Sequence, residues 1–298
     1  MQWEKTQMSL VAEGTGTISV HKLHPHIGAE VRGIDLSRPL GDGTLRQIKD
    51  AWHQHTVLVF RDQNLTEDAQ RKFASNFGPV AKRVPPPPGS ARKVEAVAWD
   101  DMMMITDHVD ANGKPVGSLG HGEMWFHTDK CYHRRPHRAT FLYGIEIPSE
   151  GGDTRFSSIY AAYDRMPAEL KKKLEGAMVM QGYQYGHGHR IDLSIDLKDI
   201  HHCSQPIIVV NPGSRRKGLY AASVNTLWVE GMDRDESEAL LRQCFDIVED
   251  PAIIYDHKWR VGDLVMWDNL ACLHARTDWP SEQKRLLRRC TVEGEPLY

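Results

Sequence analysis

Residues 263–292 read DLVMWDNLACLHARTDWPSEQKRLLRRCTV. Asp263 to Asp268 is a mostly apolar run of strand length, and five residues past Asn269 stands His274. After the break at Trp279-Pro280, the stretch Arg285 to Val292 predicts a final strand. Strand side chains alternate between faces, so Arg285, Leu287, Arg289 and Thr291 share one face and Arg288 takes the other. Two guanidiniums on one face beside a histidine are costly to bury without anions. An arginine fork holds a carboxylate through two parallel hydrogen bonds, so this face is expected to meet two anionic ligands in one pocket. Arg288 is expected to make ordinary surface ion pairs.

Working outward, strands are predicted at Thr17 to Leu23, Gly28 to Leu40, Thr56 to Phe60, Thr140 to Ile147, Ile207 to Asn211 and Gly218 to Ala221. Helices are predicted at Thr44 to His55, after an N-cap at Thr66, within Ser158 to Glu175 with a second start near Pro167, and at Asp233 to Val248. Asp110 to Gly113 reads as a hairpin turn, and Pro85 to Pro88 as a short, stiff extended stretch. Met178 to Pro206, rich in Gly, His and Asp, reads as a long surface loop acting as a lid. Strands with a few flanking helices, no repeat and no dividing linker imply an α+β domain on a β-sandwich or barrel. The expected organisation is a flexible N-terminal arm over 1–16 and one domain over 17–298, with 179–206 as the lid.

The chain has 298 residues, with 37 Lys+Arg against 40 Asp+Glu. This balance gives no reason to expect a nucleic-acid or acidic-membrane partner. No apolar run reaches the roughly 18 residues of a membrane span, and residues 1–16 lack the pattern of a signal peptide. Five scattered cysteines, none in a C-x-x-C pair, argue against a disulfide scaffold or a cysteine zinc site. The expected location is the cytoplasm. The 16 histidines raise the prospect of a metal site.

His127-Thr128-Asp129 puts an imidazole and a carboxylate two residues apart. On a strand both would face one way, and a distant histidine would complete a two-histidine, one-carboxylate set with open coordination positions. The spacing alone is weak, since about one His-x-Asp arises by chance in such a chain. A second copy, His108-Val109-Asp110, runs into the Asn112-Gly113 turn and reads as a solvated tip. His127 instead follows Trp125-Phe126 and precedes Tyr132, which suits a pocket wall.

Several ordered segments carry a family resemblance. They are IGAEVRGIDLSRPL, VLVFRDQNLTEDAQRKFASNFGPV, FHTDKCY, IPSEGGDTRFSSIYAAYDRMP, NPGSRRKGLY and VGDLVMWDNLACLHARTDW. From about Ile18 to Tyr298 the chain resembles the taurine dioxygenase / 2,4-dichlorophenoxyacetate dioxygenase family of Fe(II)- and 2-oxoglutarate-dependent oxygenases. The herbicide-degrading branch is the more similar, notably in GDLVMWDN and GSRRKGLY. The resemblance implies a double-stranded β-helix (jelly-roll) core and hydroxylation coupled to decarboxylation of 2-oxoglutarate to succinate and CO2. It implies His127, Asp129 and His274 as iron ligands, Thr154 and Arg285 as 2-oxoglutarate partners, and Arg289 as the partner of the substrate anion. Glu123 and Trp267 are expected in the pocket wall. O2 is the other co-substrate, and a dimer or tetramer is expected.

Two departures bear on substrate. Phe126 stands between Trp125 and His127, where the family reads Trp-His. Glu123 replaces an asparagine of the taurine enzyme and would repel a sulfonate, which argues against taurine itself. An aryloxyalkanoate-like acid is the favoured substrate class, with a sulfonate or sulfate ester next. His187, His189, His201 and His202 are expected in a solvated loop. The competing readings are a zinc hydrolase or isomerase on a similar barrel, which would not need Arg285, and a metal-free anion-binding module.

Overall fold

The computed structural model describes residues 18–85, 100–185 and 188–298. The expected N-terminal arm, most of the Pro85–Pro88 stretch and His187 lie outside them. The strands are β1 (Ser19–Lys22), β2 (Ala29–Arg32), β3 (Val57–Phe60), β4 (Met102–Ile105), β5 (Met124–His127), β6 (His137–Glu146), β7 (Thr154–Ser158), β8 (Met178–Tyr183), β9 (His201–Pro206), β10 (Ile208–Val210), β11 (Lys217–Leu219), β12 (Thr226–Val229), β13 (Ile254–His257), β14 (Leu264–Asp268), β15 (Cys272–Arg276) and β16 (Leu286–Glu293). The helices are α1 (Asp42–His55), α2 (Glu67–Ser75), α3 (Ile159–Arg165), α4 (Ala168–Leu174) and α5 (Arg234–Val248).

A seven-stranded sheet runs β1-β2-β3-β14-β6-β16-β4, and a four-stranded sheet runs β13-β7-β15-β5. Alternation along each strand explains the layering. Val57 and Val59 of β3, with Val265 and Trp267 of β14, pack with Phe156 and Cys272 of the four-stranded sheet. Leu58, Phe60, Leu264 and Met266 point the other way, onto Ile48 and Trp52 of α1 and Phe73 of α2. Both faces of the large sheet are therefore covered, which is why β3 and β14 read as continuous apolar runs. The remaining helices and β10–β12 supply a third apolar cluster around Phe126, Ile159, Leu241 and Leu273. The result is an α+β fold of mixed sheets.

Local chemistry fixes the helix ends. Thr66 Oγ1 accepts the Ala69 N–H at 3.2 Å, capping α2, while Glu67 and Asp68 sit in its first turn. Asp233 caps α5 in the same manner. The predicted break near Pro167 separates α3 from α4.

Three sequence expectations need correction. Met178 to Pro206 is not a long loop. Its ends are β8 and β9, paired from Met178↔Pro206 to Tyr183↔His201, and the described residues between them hold one 3-10 turn, Leu197–Asp199. Gly, His and Asp content suggested loop, yet Val179 and Gln181 alternate inward and bury. The predicted strand Gly28 to Leu40 stops at Arg32. Beyond it, the Leu36 N–H donates to Gln63 Oε1 and the Gln63 amide to the Ile34 carbonyl, so a side chain replaces a neighbouring strand. Asp129 is not on a strand, because β5 ends at His127 and the chain turns through Lys130 at φ 61°. Among the described residues, no helix is long and apolar enough to cross a membrane.

Candidate metal and oxyacid site

The register of the four-stranded sheet builds the site. β15 pairs antiparallel with β5, setting His274 directly opposite His127 with ring centroids 4.0 Å apart. Asp129 swings in from the turn after β5, with Oδ2 at 3.9 Å from His274 Nε2. One candidate ligand atom from each residue lies within 4.8 Å of the others, the single such cluster among the described residues.

Neighbours orient each group. His127 Nδ1 lies 2.9 Å from the Trp125 carbonyl, which can only accept. The proton therefore sits on Nδ1 and the Nε2 lone pair is left for a ligand bond. Burial holds both imidazoles below their ordinary pKa, most strongly His274, so both are neutral as coordination requires. Burial alone would raise the Asp129 carboxyl, but its basic neighbours, the Arg289 guanidinium foremost, outweigh that and hold the group ionised. Arg289 donates to Asp129 Oδ1 at 3.2 Å and Thr140 Oγ1 to Oδ2 at 2.7 Å. Thr140 Oγ1 in turn accepts the Asn269 amide at 2.9 Å, and Asn269 Oδ1 accepts Trp267 Nε1–H at 3.0 Å.

Sequence reasoning missed Thr140 and Asn269: no local motif marks Thr140 as a partner of Asp129, and Asn269 reaches Thr140 only by a pairing across 129 residues. Thr140→Val should lower metal affinity about 10- to 100-fold while the fold survives, since it removes one hydrogen bond that aims the carboxylate. Titration of Fe(II) followed by calorimetry checks this.

Two lobes meet at the cluster, and His127 and Arg289 line both. The inner lobe is walled by Ile105, Leu142, Thr154, Trp267 and Arg285. Arg285 is only 2% exposed. Its Nε donates to the Gly152 carbonyl at 3.0 Å, while its Nη1 is buried without a partner among the described residues. Burial first, and Arg276 second, push this guanidinium down to about 9. A buried cation with an open donor fits an oxyacid. Gly152 makes room for it: at φ 64°, a Cβ there would sit 2.9 Å from Arg285 Cδ and Nε. Thr154 Oγ1 accepts Trp259 Nε1–H at 3.0 Å and keeps its own proton to donate. Arg276, which sequence reasoning missed, does not compete as an anion site. Its guanidinium is spent on the carbonyls of Leu119, Gly120 and Gly122.

The outer lobe is a cleft of about 1020 Å³, its open mouth included, whose wall includes Lys130, Tyr132, His137, Tyr183 and His201. Tyr132 and Tyr183 stack at 4.8 Å. His201 thus belongs to β9 and the cleft, whereas His189 and His202 are exposed. The expected places of three residues are corrected or sharpened. Glu123 is exposed and lines a separate depression with Trp125, Phe126 and Arg155, because the irregular β5–β15 register turns Met124 toward the cleft instead. Trp267 is buried at 1% exposure, in the inner lobe wall with its ring 4.8 Å from that of His274. Arg288 is not a surface ion-pair residue: it is buried, donating to Gln70 Oε1 at 2.8 Å and the Leu65 carbonyl at 2.7 Å. His108-Val109-Asp110 leads into an exposed turn at 111–113, with Val109 58% exposed but His108 half-buried.

Comparison with known proteins places this geometry in context. The family model described as "Taurine catabolism dioxygenase TauD, TfdA family" matches residues 19–291. The chain is 30% identical to the alpha-ketoglutarate-dependent 2,4-dichlorophenoxyacetate dioxygenase of Cupriavidus pinatubonensis, over 93% of this chain and 98% of that one. It is 31% identical to the (S)-phenoxypropionate/alpha-ketoglutarate-dioxygenase of Sphingobium herbicidovorans, over 90% and 92%. Among solved structures, a taurine dioxygenase from Burkholderia xenovorans superposes with a TM-score of 0.74 at 26% identity, over 93% of this chain and 90% of that one.

Proposed function

The chain belongs to the TauD/TfdA family, and from that premise we propose that His127, Asp129 and His274 hold Fe(II), that Arg285 and Thr154 hold 2-oxoglutarate, and that Arg289 receives the anionic group of a small organic acid. The chain is a 2-oxoglutarate-dependent non-haem iron dioxygenase. The observation that carries the site assignment is the buried Arg285 guanidinium, whose Nη1 has no partner among the described residues, beside two neutral imidazoles and an ionised carboxylate. A zinc hydrolase would have no use for that cation.

The donor set fits a divalent iron: two neutral imidazoles and one carboxylate, with room for further ligands toward both lobes. Bound iron supplies O2 activation, coupled to decarboxylation of 2-oxoglutarate to succinate and CO2, for hydroxylation of a substrate C–H bond. The chain's own residues do the rest. Arg285 fixes the far carboxylate of 2-oxoglutarate at the end of the inner lobe, and the Thr154 hydroxyl donates a second hydrogen bond. Ile105, Leu142 and Trp267 keep water from this lobe. Thr140 and Arg289 aim the Asp129 carboxylate. Tyr132 and Tyr183 offer ring faces to the substrate body in the outer lobe.

The favoured substrate is an aryloxyalkanoate-like acid, with a sulfonate or sulfate ester as the next class. Two relatives named for aryloxy acids and the stacked tyrosines support that order. Hydroxylation beside the ether oxygen would give an unstable hemiacetal that breaks to a phenol. The two packed sheets support the jelly-roll description, and the resemblance extends the reading to a cytoplasmic dimer or tetramer.

The test has two stages. Fe(II) and then 2-oxoglutarate are added without oxygen, and a weak visible charge-transfer band is expected. Folded, iron-loaded protein that gives no band sinks the assignment. Aryloxyalkanoates, sulfonates and alkyl sulfates are then screened for coupled succinate release. Inactivity on all three classes, from protein that shows the band, removes this substrate proposal.

A further inference from the structure

The strand register puts more than the candidate ligands on one row. His127 pairs with His274, His274 with Phe156, and Phe156 with Tyr255, across all four strands of the smaller sheet. Directly opposed residues share a face, so Tyr255 points the same way as both histidines. Trp267 comes in from the facing sheet between them. Its ring is 4.8 Å from that of His274 and 5.2 Å from that of Phe156, and Phe156 lies 6.5 Å from Tyr255, nearly parallel at 15°.

The far end is built for a proton. His257 Nε2 lies 3.2 Å from Asp263 Oδ2, a carboxylate that accepts, so the imidazole proton is on Nε2. Nδ1 is then the acceptor for the Tyr255 hydroxyl at 3.1 Å. His257 and Asp263 are fully buried, and Asp263 is also held by Arg61 and by the Arg260 N–H at 2.8 Å. Tyr255 itself is half-buried and borders solvent. None of these groups lines either lobe except Trp267, so substrate turnover does not account for the arrangement.

We propose that Trp267, Phe156 and Tyr255 form an electron path that quenches the oxidant at the metal site when no substrate is bound, with His257 taking the phenolic proton. This rests on the iron and 2-oxoglutarate assignment above. The balance is simple. Tyr255 loses one electron to the oxidant by way of Phe156 and Trp267, its O–H bond breaks, and the proton moves to His257 Nδ1. The resulting imidazolium is held by Asp263. The oxidant, reduced by one electron, takes its proton from water. A soluble one-electron reductant such as ascorbate then supplies two electrons: one restores the phenol, with the proton returning from His257, and the other brings the metal back from the ferric to the ferrous level. The path protects the cleft, because an unspent oxidant would otherwise attack the side chains that line it.

The holoenzyme with Fe(II), 2-oxoglutarate and O2, but no substrate, is freeze-quenched and examined by electron paramagnetic resonance. A tyrosyl radical is expected, its signal narrowed in protein made with ring-deuterated tyrosine and lost in Tyr255→Phe. That variant should keep coupled activity but gain oxygen atoms on Trp267 and cleft residues by mass spectrometry, and inactivate in fewer substrate-free turnovers. A merely structural Tyr255–His257–Asp263 brace would show up as a lowered melting temperature with no radical. Substrate-free decarboxylation without a Tyr255-dependent radical overturns the relay alone. Absence of any iron–2-oxoglutarate band overturns the relay together with the site assignment beneath it.

Discussion

Arg285→Leu is expected to weaken 2-oxoglutarate binding severely while leaving the ligand-free protein about as stable as the parent. The two halves have one cause. In the ligand-free protein the guanidinium is buried, and among the described residues its Nη1 has no partner and its one hydrogen bond runs from Nε to the Gly152 carbonyl. Desolvation of such a charge is poorly offset, and hydrophobic replacement of buried ionic groups is often neutral or stabilising. Leu fills much of the stem volume against Trp279, whose ring lies 5.2 Å from the guanidinium. With 2-oxoglutarate present the balance reverses. Losing one partner of a buried, hydrogen-bonded charge pair costs about 2–5 kcal/mol, or roughly 30- to several-thousand-fold in affinity. Thermal melts with and without 2-oxoglutarate read both effects. The parent should gain stability on adding the ligand and the variant should not. A ligand-induced gain that survives in Arg285→Leu would show that the oxyacid sits elsewhere.

What was legible in the sequence was whatever depends on near neighbours. The buried strand Val57–Phe60 and the cap at Thr66 are local statements, and the structure has both. Two arginines at one strand spacing pointed to one face, and Arg285 and Arg289 do line the same lobe. Arg288 was misjudged because its partners, Gln70 and Leu65, lie more than two hundred residues away in the chain. The segment from Met178 misled because a strand may carry Gly and His when only alternate side chains bury. Glu123 was misplaced because a register irregularity in β5–β15 cannot be seen before pairing is known. Asp129 stands beside His127 from the turn that follows β5, outside the strand. Thus proximity of the two groups followed from spacing, but the reason given for it did not.

The second large effect is expected at Asp129. Asp129→Ala should lower iron affinity by more than about 100-fold, beyond what an orienting neighbour contributes, and reduce turnover to background. It should also destabilise the protein. The Asp129 carboxylate faces the Arg289 guanidinium at 3.2 Å, and both are largely buried. Removing one partner strands the other, at a cost of about 3–5 kcal/mol. The two consequences separate in a double variant. Asp129→Ala with Arg289→Met leaves no uncompensated charge, so much of the lost stability should return while iron affinity stays at the level of the single variant. The coupling between the two substitutions, read from denaturant melts, measures the ion pair, since contacting residues deviate from additivity. Iron binding is read separately by calorimetry under anaerobic conditions. If Asp129→Ala bound iron as the parent does, the carboxylate would be a partner of Arg289 only. If stability failed to return in the double variant, the loss would come from the Thr140–Asn269 network that Asp129 anchors, and not from the stranded guanidinium.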